Sequence, residues 1–287
     1  MQQLKRLTQE EMSKMNFLIA IFIGLLAGAH SSTWGMYKDS PHEGFTYPKY
    51  FRSIIVGGIW GLIIWLISAL DLSQASGWLI LFGATYGMER ITLEFYKTFL
   101  REEDQTKYFI PMQLHVFGTV VKSRAKRLSI GAAYILAIAL VGLGIYSLQT
   151  IDFQLSSLLL IFIIGSVGGW ISAFGGAWKD APLEGFQIFK FFRSPAIAFF
   201  YAILISFFTT SYLFVTLCAI GYTVATIETY KTFFFPSKPR GKFAGKPIDY
   251  PDMLQRRQRF VPLYVAIWLG IIVTFVVAFT QPHSGIL

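Results

Sequence analysis

The sequence predicts an all-α protein that crosses a membrane eight times and is built as two parallel repeats of four helices. Composition is the first reason, because 54% of the 287 residues are hydrophobic and only 14% are charged, with a mean hydropathy of +0.53. In an ordinary soluble domain about a quarter of the residues are charged. Long apolar runs separated by charged clusters are the second reason, since they are typical of membrane-spanning helices. The third reason is an internal repeat.

The repeat is a charged motif that occurs twice. Residues 38–45 read KDSPHEGF, and residues 179–186, which lie 141 positions later, read KDAPLEGF. A second motif follows each copy, since residues 94–99 read EFYKTF and residues 228–233 read ETYKTF. Because each unit contains four spans, an even number, both units insert with the same orientation. We therefore expect a pseudo-two-fold axis along the membrane normal.

The predicted spans divide the chain into three parts. Residues 1–15 are polar and are predicted to form a short surface helix, whereas repeat 1 covers residues 16–148 and repeat 2 covers residues 157–280. The pair within residues 195–227 is short for two crossings, because at ~1.5 Å per residue each arm reaches less than ~25 Å of a core that is ~30 Å thick. Three explanations are open: the arms start earlier, near Phe186, they thin the bilayer, or they stop short of the far face. The eight predicted spans are residues 16–37, 53–70, 77–94, 128–148, 157–178, 195–209, 211–227 and 260–280.

The N-terminal segment is expected to remain as a membrane helix, although it resembles a secretory signal peptide. Residues 1–29 contain the basic start, the apolar run and the small residues of such a signal. Glu10 and Glu11 interrupt the basic part, however. In addition, residues 21–37 match the internal segment 162–178, which cannot be a signal.

The distribution of basic residues predicts which side of the membrane the loops face. Of the 25 Lys and Arg residues, 21 fall in the loops that follow the odd-numbered spans, and none falls in the opposite loops. Because basic loops resist translocation, the odd-numbered loops are predicted to be cytoplasmic and both termini non-cytoplasmic. Lys5, Arg6 and Lys14 are exceptions to this arrangement. The predicted localisation is that of a multi-pass integral membrane protein.

This topology also accounts for the net charge of +9. Basic loops face the anionic lipids of the cytoplasmic leaflet, and each basic residue contributes roughly 1 kcal/mol of attraction there. Anionic membrane lipids are therefore the expected partners, and membrane-protein partners stay open. Nucleic-acid binding is not needed to explain the charge. With a single cysteine, Cys218, the chain cannot form an internal disulfide.

The repeated motif contains groups that suit an anion. Pro41 is expected to end the first helix, and Gly44 permits a tight turn. Arg52 and Ser53 are then predicted to open the next helix. A Ser N-cap, an adjacent arginine and free backbone N–H groups at a helix start together make a site for phosphate or carboxylate. The corresponding residues of the second copy are Arg193 and Ser194.

Two other interpretations of these charges are open. In one, Asp39, Glu43 and Glu94 are hard oxygen ligands for Mg²⁺ beside the anion. In the other, the charges pair with one another and hold helix ends together, and the duplication favours this role because a second catalytic copy would be free to drift. The predicted network consists of Lys38, Asp39, Glu43, Glu94, Lys97, Lys179, Asp180, Glu184, Glu228 and Lys231.

The two halves differ in their polar residues within the bilayer. By helix rise, His30 and Arg90 lie roughly 10–12 Å from the cytoplasmic boundary, and Glu89 precedes Arg90, whereas the second half has Thr223 and Val224 there. Ionisable groups are costly in a membrane and by default indicate a functional site. Alternatively, Glu89 and Arg90 pair with neighbours and His30 donates to a backbone carbonyl. The predicted ligand-binding residues are His30, Glu89, Arg90, Arg52, Ser53, Arg193 and Ser194.

Three functions agree with this pattern. A transporter or channel would use a cytoplasmic vestibule that is lined by the two motifs, with an asymmetric polar site in the first half. A membrane enzyme that acts on a phosphate-bearing lipid would hold a metal on the three carboxylates and the phosphate on Arg52. A non-catalytic subunit of a larger membrane complex would use the charges as clamps. We rank transport first, because an even-span duplication about an axis suits a pore or a shared cavity. No motif in the sequence identifies a cofactor.

Overall fold

The structure is a computed structural model that describes residues 2–68, 70–151, 154–236 and 241–287. It is all-α apart from one short hairpin, and seven of its helices are long and apolar enough to cross a membrane. α3 has the same length as α2, 21 residues, but carries more charge. The helices are α1 (Gln2–Glu43), α2 (Tyr47–Ile67), α3 (Ala75–Phe95), α4 (Arg124–Leu148), α5 (Ser157–Glu184), α6 (Ile188–Ser206), α7 (Tyr212–Phe233), α8 (Met253–Arg256) and α9 (Val261–Thr280).

Two helices begin earlier than their predicted spans. Residues 2–15 do not form a separate surface helix, because they are the first part of α1. The span predicted from residue 195, with an earlier start near Phe186 as one alternative, begins at Ile188, which confirms the earlier start. With 19 residues, α6 is about 28 Å long at ~1.5 Å per residue, which is close to the ~30 Å of a bilayer core.

Pro41 does not end the first helix, contrary to the prediction, because α1 continues to Glu43. Proline lacks the N–H that would bond to the carbonyl four residues earlier, which here belongs to Tyr37. A distant side chain replaces that bond, since Arg257 Nη1 donates to the Tyr37 carbonyl oxygen over 2.9 Å. Gly44 then stops the helix with a positive φ of 73°, as its predicted turn requires.

The predicted helix start at Arg52 and Ser53 is also wrong. α2 begins five residues before Arg52, at Tyr47, and α6 begins five residues before Arg193, at Ile188. Only the first four N–H groups of a helix lack a partner within the helix. The backbone of Ser53 and Ser194 therefore cannot supply the free donors of the predicted anion site.

Small residues bring the helices into close contact. A Cβ atom added to Gly28 of α1 would lie 2.2 Å from a backbone oxygen of α2, and one added to Gly169 of α5 would lie 2.5 Å from the backbone of α6. At the centre, a Cβ on Gly221 of α7 would lie 2.0 Å from a backbone oxygen of α3. Such small-residue contacts are typical of helix pairs in membranes, where van der Waals packing drives association. The arrangement of these pairs as a two-fold repeat stays a prediction.

The segments between the helices are short except for two loops on the side where α3 and α7 end. After a π-helical turn (Tyr96–Leu100), the first loop contains a hairpin of β1 (His115–Val116) and β2 (Thr119–Val120). Its two turn residues, Phe117 and Gly118, both have positive φ, as a type I′ turn requires. The second loop contains a 3₁₀ turn (Gly241–Phe243), and another 3₁₀ turn (Arg257–Phe260) joins α8 to α9.

Candidate functional site

A cavity of about 1320 Å³ lies between the first and second halves of the chain, where α1, α3, α5 and α7 end. We call this end of the helix bundle the basic face. Nine basic and five acidic residues line the cavity, which gives a formal excess of four positive charges. The basic residues are Lys38, Arg90, Lys97, Lys179, Lys190, Arg193, Lys231, Lys242 and Arg257; the acidic residues are Asp39, Glu94, Asp180, Glu184 and Glu228.

The cavity brings together nine of the ten residues of the predicted charge network, and the tenth, Glu43, lies beside it. Lys38 Nζ lies 3.2 Å from Glu228 Oε2, and this ion pair joins α1 to α7. Lys231 Nζ lies 3.2 Å from the other oxygen of the same carboxylate. Glu228 therefore holds one lysine from each half of the chain.

The loop that follows α7 contacts both copies of the charged motif. Lys242 Nζ lies 2.8 Å from Asp39 Oδ2 and 3.1 Å from Glu43 Oε1 in the first copy. In the second copy, the backbone N–H of Gly241 donates to Glu184 Oε1 over 3.1 Å. Two neighbouring residues thus connect the C-terminal ends of α1 and α5.

Each copy of the motif also contains an internal ion pair between its glutamate and the lysine six residues later. In the first copy, Lys49 Nζ lies 2.6 Å from Glu43 Oε2. In the second copy, Lys190 Nζ lies 2.8 Å from Glu184 Oε2 and 3.1 Å from Asp180 Oδ2. These contacts fix the turn between α1 and α2 and the turn between α5 and α6.

The end of α3 has its own ion-pair chain. Glu94 binds both Arg90, four residues earlier, and Lys97, at 3.1 Å. Lys179, from the second copy of the motif, is another positive charge that acts on Glu94. The nearest polar contact of Lys179 Nζ is the Met112 sulfur at 3.9 Å, and Lys179 makes no ion pair with a described residue.

Lys97 lies just beyond the end of α3, outside the spanning helices, and its ammonium group is unusually easy to deprotonate. Burial lowers its pKa from the ordinary value of 10.5 to about 8. Glu94 opposes this shift, whereas the positive charges of Arg90 and Lys242 add to it. The charge of the cavity therefore depends on pH in the range just above neutrality.

Of the two predicted Arg–Ser pairs, only one residue, Arg193, lines the cavity. Arg52 and Ser53 line a smaller neighbouring pocket, which Arg90 shares with the cavity. Ser194 lies buried in α6 and lines neither space. The Arg52 guanidinium is 5.4 Å from the centroid of the Tyr96 ring, which is a cation–π distance.

His30 lies outside the cavity in an aromatic cage. Its side chain has no exposed surface, and its ring stacks on Tyr264 with centroids 4.2 Å apart. Trp268 and Tyr86 contact its ring edge-on, and His30 Nδ1 is 3.1 Å from the Tyr86 hydroxyl. His30 therefore does not donate to a backbone carbonyl; its neighbours are aromatic rings and a hydroxyl group.

Glu89 is fully buried and faces the interior of the first half. Neither of its carboxyl oxygens makes a hydrogen bond, although Ser31 and Ser53 lie close to it. Its carboxyl group interacts electrostatically with Arg52 and Arg90. The structure thus places Glu89, Arg90 and Arg52 close together but separates His30 from them.

The three carboxylates predicted as alternative metal ligands are bound by basic side chains. Asp39 and Glu43 share Lys242, and Glu94 binds Arg90 and Lys97. In the part of the chain that the structure describes, no group of three or more His, Cys, Asp or Glu residues could hold a metal ion.

Lys242 and Arg101 belong to this region but do not stand out in the sequence. Lys242 lies in a loop rich in glycine and lysine, which is typical of a solvated segment. Arg101 follows the π-helical turn and pairs with Glu103 at 2.9 Å. No local pattern shows that either residue reaches the motif, because the contacts depend on how the loops fold back.

The fold and these contacts define the class: this is a multi-pass helical membrane protein with a charged cavity at one end of its helix bundle. No protein-family model, no curated protein and no solved structure matches the chain. Its function must therefore be inferred from its own residues.

Proposed function

We propose that the protein binds an anionic molecule with phosphate or carboxylate groups in the cavity of the basic face and moves it across the membrane. The observation that carries the proposal is the formal excess of four positive charges on the cavity walls. Clefts lined by one sign of charge, with low-dielectric walls, concentrate ions of the opposite sign. The volume of about 1320 Å³ is large enough for a molecule the size of a metabolite or a lipid headgroup.

The cavity has more basic residues than its acidic residues can pair with, so some basic groups remain to bind a ligand. All five acidic residues of the cavity walls are engaged by lysine or arginine. Lys179 is not part of any of these ion pairs. We infer that Lys179 is the first contact of an anion that enters the cavity.

Transport also requires that the cavity open to the opposite side. α3 and α7 now meet in backbone contact at Gly83 and Gly221, and the Tyr222 hydroxyl of α7 donates to the Leu79 carbonyl of α3 over 2.9 Å. Passage of a ligand would need these two helices to separate. Since one helix belongs to each half, a rocking motion of the halves would achieve this.

Two exchanged interactions support a two-fold relation between the halves. Lys38 of the first motif forms an ion pair with Glu228, which follows the second motif. The positive charge of Lys179 in the second motif acts on Glu94, which follows the first motif, without forming an ion pair. Such an exchange is expected for parallel repeats about an axis along the membrane normal.

The orientation follows from the positive-inside rule. In the predicted topology, 21 of the 25 Lys and Arg residues follow the odd-numbered spans, which end at the basic face, so we assign this face to the cytoplasm and both termini to the other side. The cavity would then load from the cytoplasm, at the level of the anionic lipid headgroups.

Uptake into proteoliposomes tests the proposal. The probes are radiolabelled inorganic phosphate and radiolabelled succinate, and the variant is Lys179→Gln. The matched control is Arg256→Gln, which removes a basic residue of the same face that lies outside the cavity and is 60% exposed. We expect the wild type and the control to take up at least one probe, and Lys179→Gln to lower the rate at least ten-fold. Equal rates for protein-free and protein-containing vesicles with both probes would reject the proposal, as would an unchanged rate for Lys179→Gln.

A structural role in a larger membrane complex is the second candidate, and the dense ion-pair network favours it. In that case the wild type would take up neither probe, and Lys179→Gln would change only the stability or the assembly of the protein. An enzyme that acts on a phosphate-bearing lipid is less favoured, because lysines already occupy the carboxylates that a metal would need.

A further inference from the structure

A second, smaller pocket lies beside the cavity, between the ends of α1 and α3 and the start of α2. It has a volume of about 90 Å³. That is room for about three water molecules at ~30 Å³ each, or for one compact tetrahedral oxyanion. The polar residues that line it include Ser31, Arg52, Ser53, Arg90, Lys97 and Arg101, and these could contact such an anion.

Three arginines converge on this pocket. The positive charges of Arg101 and Arg90 repel the positive charge of Arg52, so the three guanidinium groups are close enough to interact. The Nε atoms of all three are buried and have no hydrogen-bond partner in the described structure. Arg90 itself is only 8% exposed. Converging positive charges with unused buried donors are unfavourable unless an anion compensates them.

The described side chains compensate this charge only in part. Glu94 binds Arg90, and Glu103 binds Arg101. Arg52 makes no ion pair with a described residue and lies against the ring of Tyr96. The pocket is also lined by Asp39 and Glu43, but Lys242 binds both of these carboxylates. Glu89 acts on Arg52 without lining the pocket.

We propose that this pocket binds a single phosphate group through Arg52, Arg90 and Arg101. The planar guanidinium fork matches the oxygen spacing of phosphate and gives two parallel hydrogen bonds. The hydroxyls of Ser31 and Ser53 add donors on the inner side. The inference rests on the proposed function in one respect, since Arg90 and Lys97 line both spaces and would pass the ligand from the cavity to the pocket.

The second half lacks the residues that correspond to Arg90 and Glu89. At the position of Arg90 the second half has Val224, and at the position of Glu89 it has Thr223. Arg193 corresponds to Arg52 but lines the large cavity. The site is therefore expected once per chain. Arg256→Gln is the control, because it removes a basic residue that lines neither the pocket nor the cavity.

Calorimetric titration of the detergent-solubilised full chain with inorganic phosphate tests the proposal without any flux measurement. We expect one phosphate per chain in this pocket, an affinity at least ten-fold weaker in Arg52→Gln and Arg101→Gln, and less than a two-fold change in Arg256→Gln. Arg52→Lys, which keeps the charge but loses the fork, should lie between Arg52→Gln and the wild type. A loss in Arg256→Gln as large as in Arg52→Gln would overturn the proposal, as would the absence of phosphate binding.

Two further measurements complete the design. Thermal unfolding identifies a variant that fails to fold. If the glutamine variants do not fold, the comparison is made with Arg52→Lys, because it changes the fewest contacts. Competition with short-chain phosphatidate identifies the source of the phosphate: displacement indicates a lipid headgroup, and lack of displacement indicates a free phosphate. If phosphate binds as expected but no anion is taken up by proteoliposomes, the proposed transport function fails and the phosphate site stands.

Discussion

Lys38 Nζ and Glu228 Oε2 lie 3.2 Å apart, although 190 residues separate them in the chain. The contact joins the first charged motif to the helix that precedes the second loop of the basic face. Both side chains are largely buried, with 24% and 14% of their surface exposed. Removing one partner of such a pair leaves a poorly solvated charge behind, so the pair should matter for the stability of the helix bundle.

We therefore expect Lys38→Met and Glu228→Gln each to lower the free energy of unfolding by about 2 kcal/mol. The double variant should cost less than the sum of the two, because the interaction can be lost only once. Thermal or denaturant unfolding in detergent measures this. Arg256→Gln, which breaks an ion pair with both partners about 60% exposed, should cost less than about 1 kcal/mol. Additive losses in the double variant would show that the two residues do not interact.

Lys97 should make anion binding depend on pH. Its pKa of about 8 means that it is charged at pH 7 and largely neutral at pH 9, so the cavity loses one positive charge over this range. We expect binding of inorganic phosphate to weaken, relative to binding by Lys97→Arg, as the pH rises from 7 to 9. Lys97→Arg should show only the pH dependence that the titration of phosphate itself causes, because arginine stays charged. Lys97→Met should bind weakly at both pH values. Titration calorimetry at several pH values distinguishes the three proteins.

The lowered pKa of Lys97 also makes the free energy of unfolding depend on pH. The pKa of Lys97 is lowered by folding, from 10.5 to about 8, so between these values the unfolded chain binds more protons than the folded one. The free energy of unfolding therefore rises with pH through this window. Below pH 8 this gain is absent, because the buried ammonium group then keeps its charge. Relative to Lys97→Met, the wild type should gain stability between pH 8 and 10. A constant difference between the two proteins would contradict the shift.

Much of the fold follows from the sequence, because a helix must present about 20 apolar residues to cross a membrane. Helix ends are harder to predict, and Pro41 shows why. Its local effect is to remove one backbone hydrogen bond, but Arg257 supplies a replacement donor from 220 residues away along the chain. A helix end that depends on a distant side chain has no local signal.

The candidate site shows the same division. Charged residues at helix ends on one side of a membrane are confined to the same end of the helix bundle. The predicted network therefore does lie around one cavity. By contrast, the neighbours of Ser53 alone predict an N-cap, yet this residue lies in the second turn of α2. Lys242 could not be predicted, because its contact with Asp39 depends on the path of a long loop.

The glycines at helix contacts should tolerate no side chain. A Cβ at Gly28 would lie 2.2 Å from the Ser53 carbonyl oxygen, and one at Gly221 would lie 2.0 Å from the Gly83 carbonyl oxygen. We expect Gly28→Ala and Gly221→Ala to lower the free energy of unfolding by about 1–3 kcal/mol, since the backbones must move apart. Gly142→Ala is the control. Nothing lies within 4 Å of its Cβ position, and the substitution should be neutral or stabilise the helix by up to about 1 kcal/mol. Similar unfolding midpoints for all three variants would mean that the close helix contacts are not present in solution.

His30 should act through packing, not through ligand binding. It does not line the cavity, and its ring is enclosed by Tyr86, Tyr264 and Trp268. His30→Ala should cost about 3 kcal/mol of unfolding free energy, because it leaves an empty space of ring size in a buried cluster. His30→Phe keeps the ring and should cost only about 1 kcal/mol, the net value of the lost contact with the Tyr86 hydroxyl.

Anion uptake separates the two roles of His30. In proteoliposomes, His30→Phe should transport within two-fold of the wild-type rate at equal protein density. The Tyr86 hydroxyl still accepts a hydrogen bond from Trp34 Nε1 at 2.8 Å, so the wall between the aromatic cluster and the cavity stays in place. If His30→Phe folds with wild-type stability but loses uptake, the imidazole itself takes part in transport. The buried polar residues of the first half would then form one functional path from His30 to Arg90.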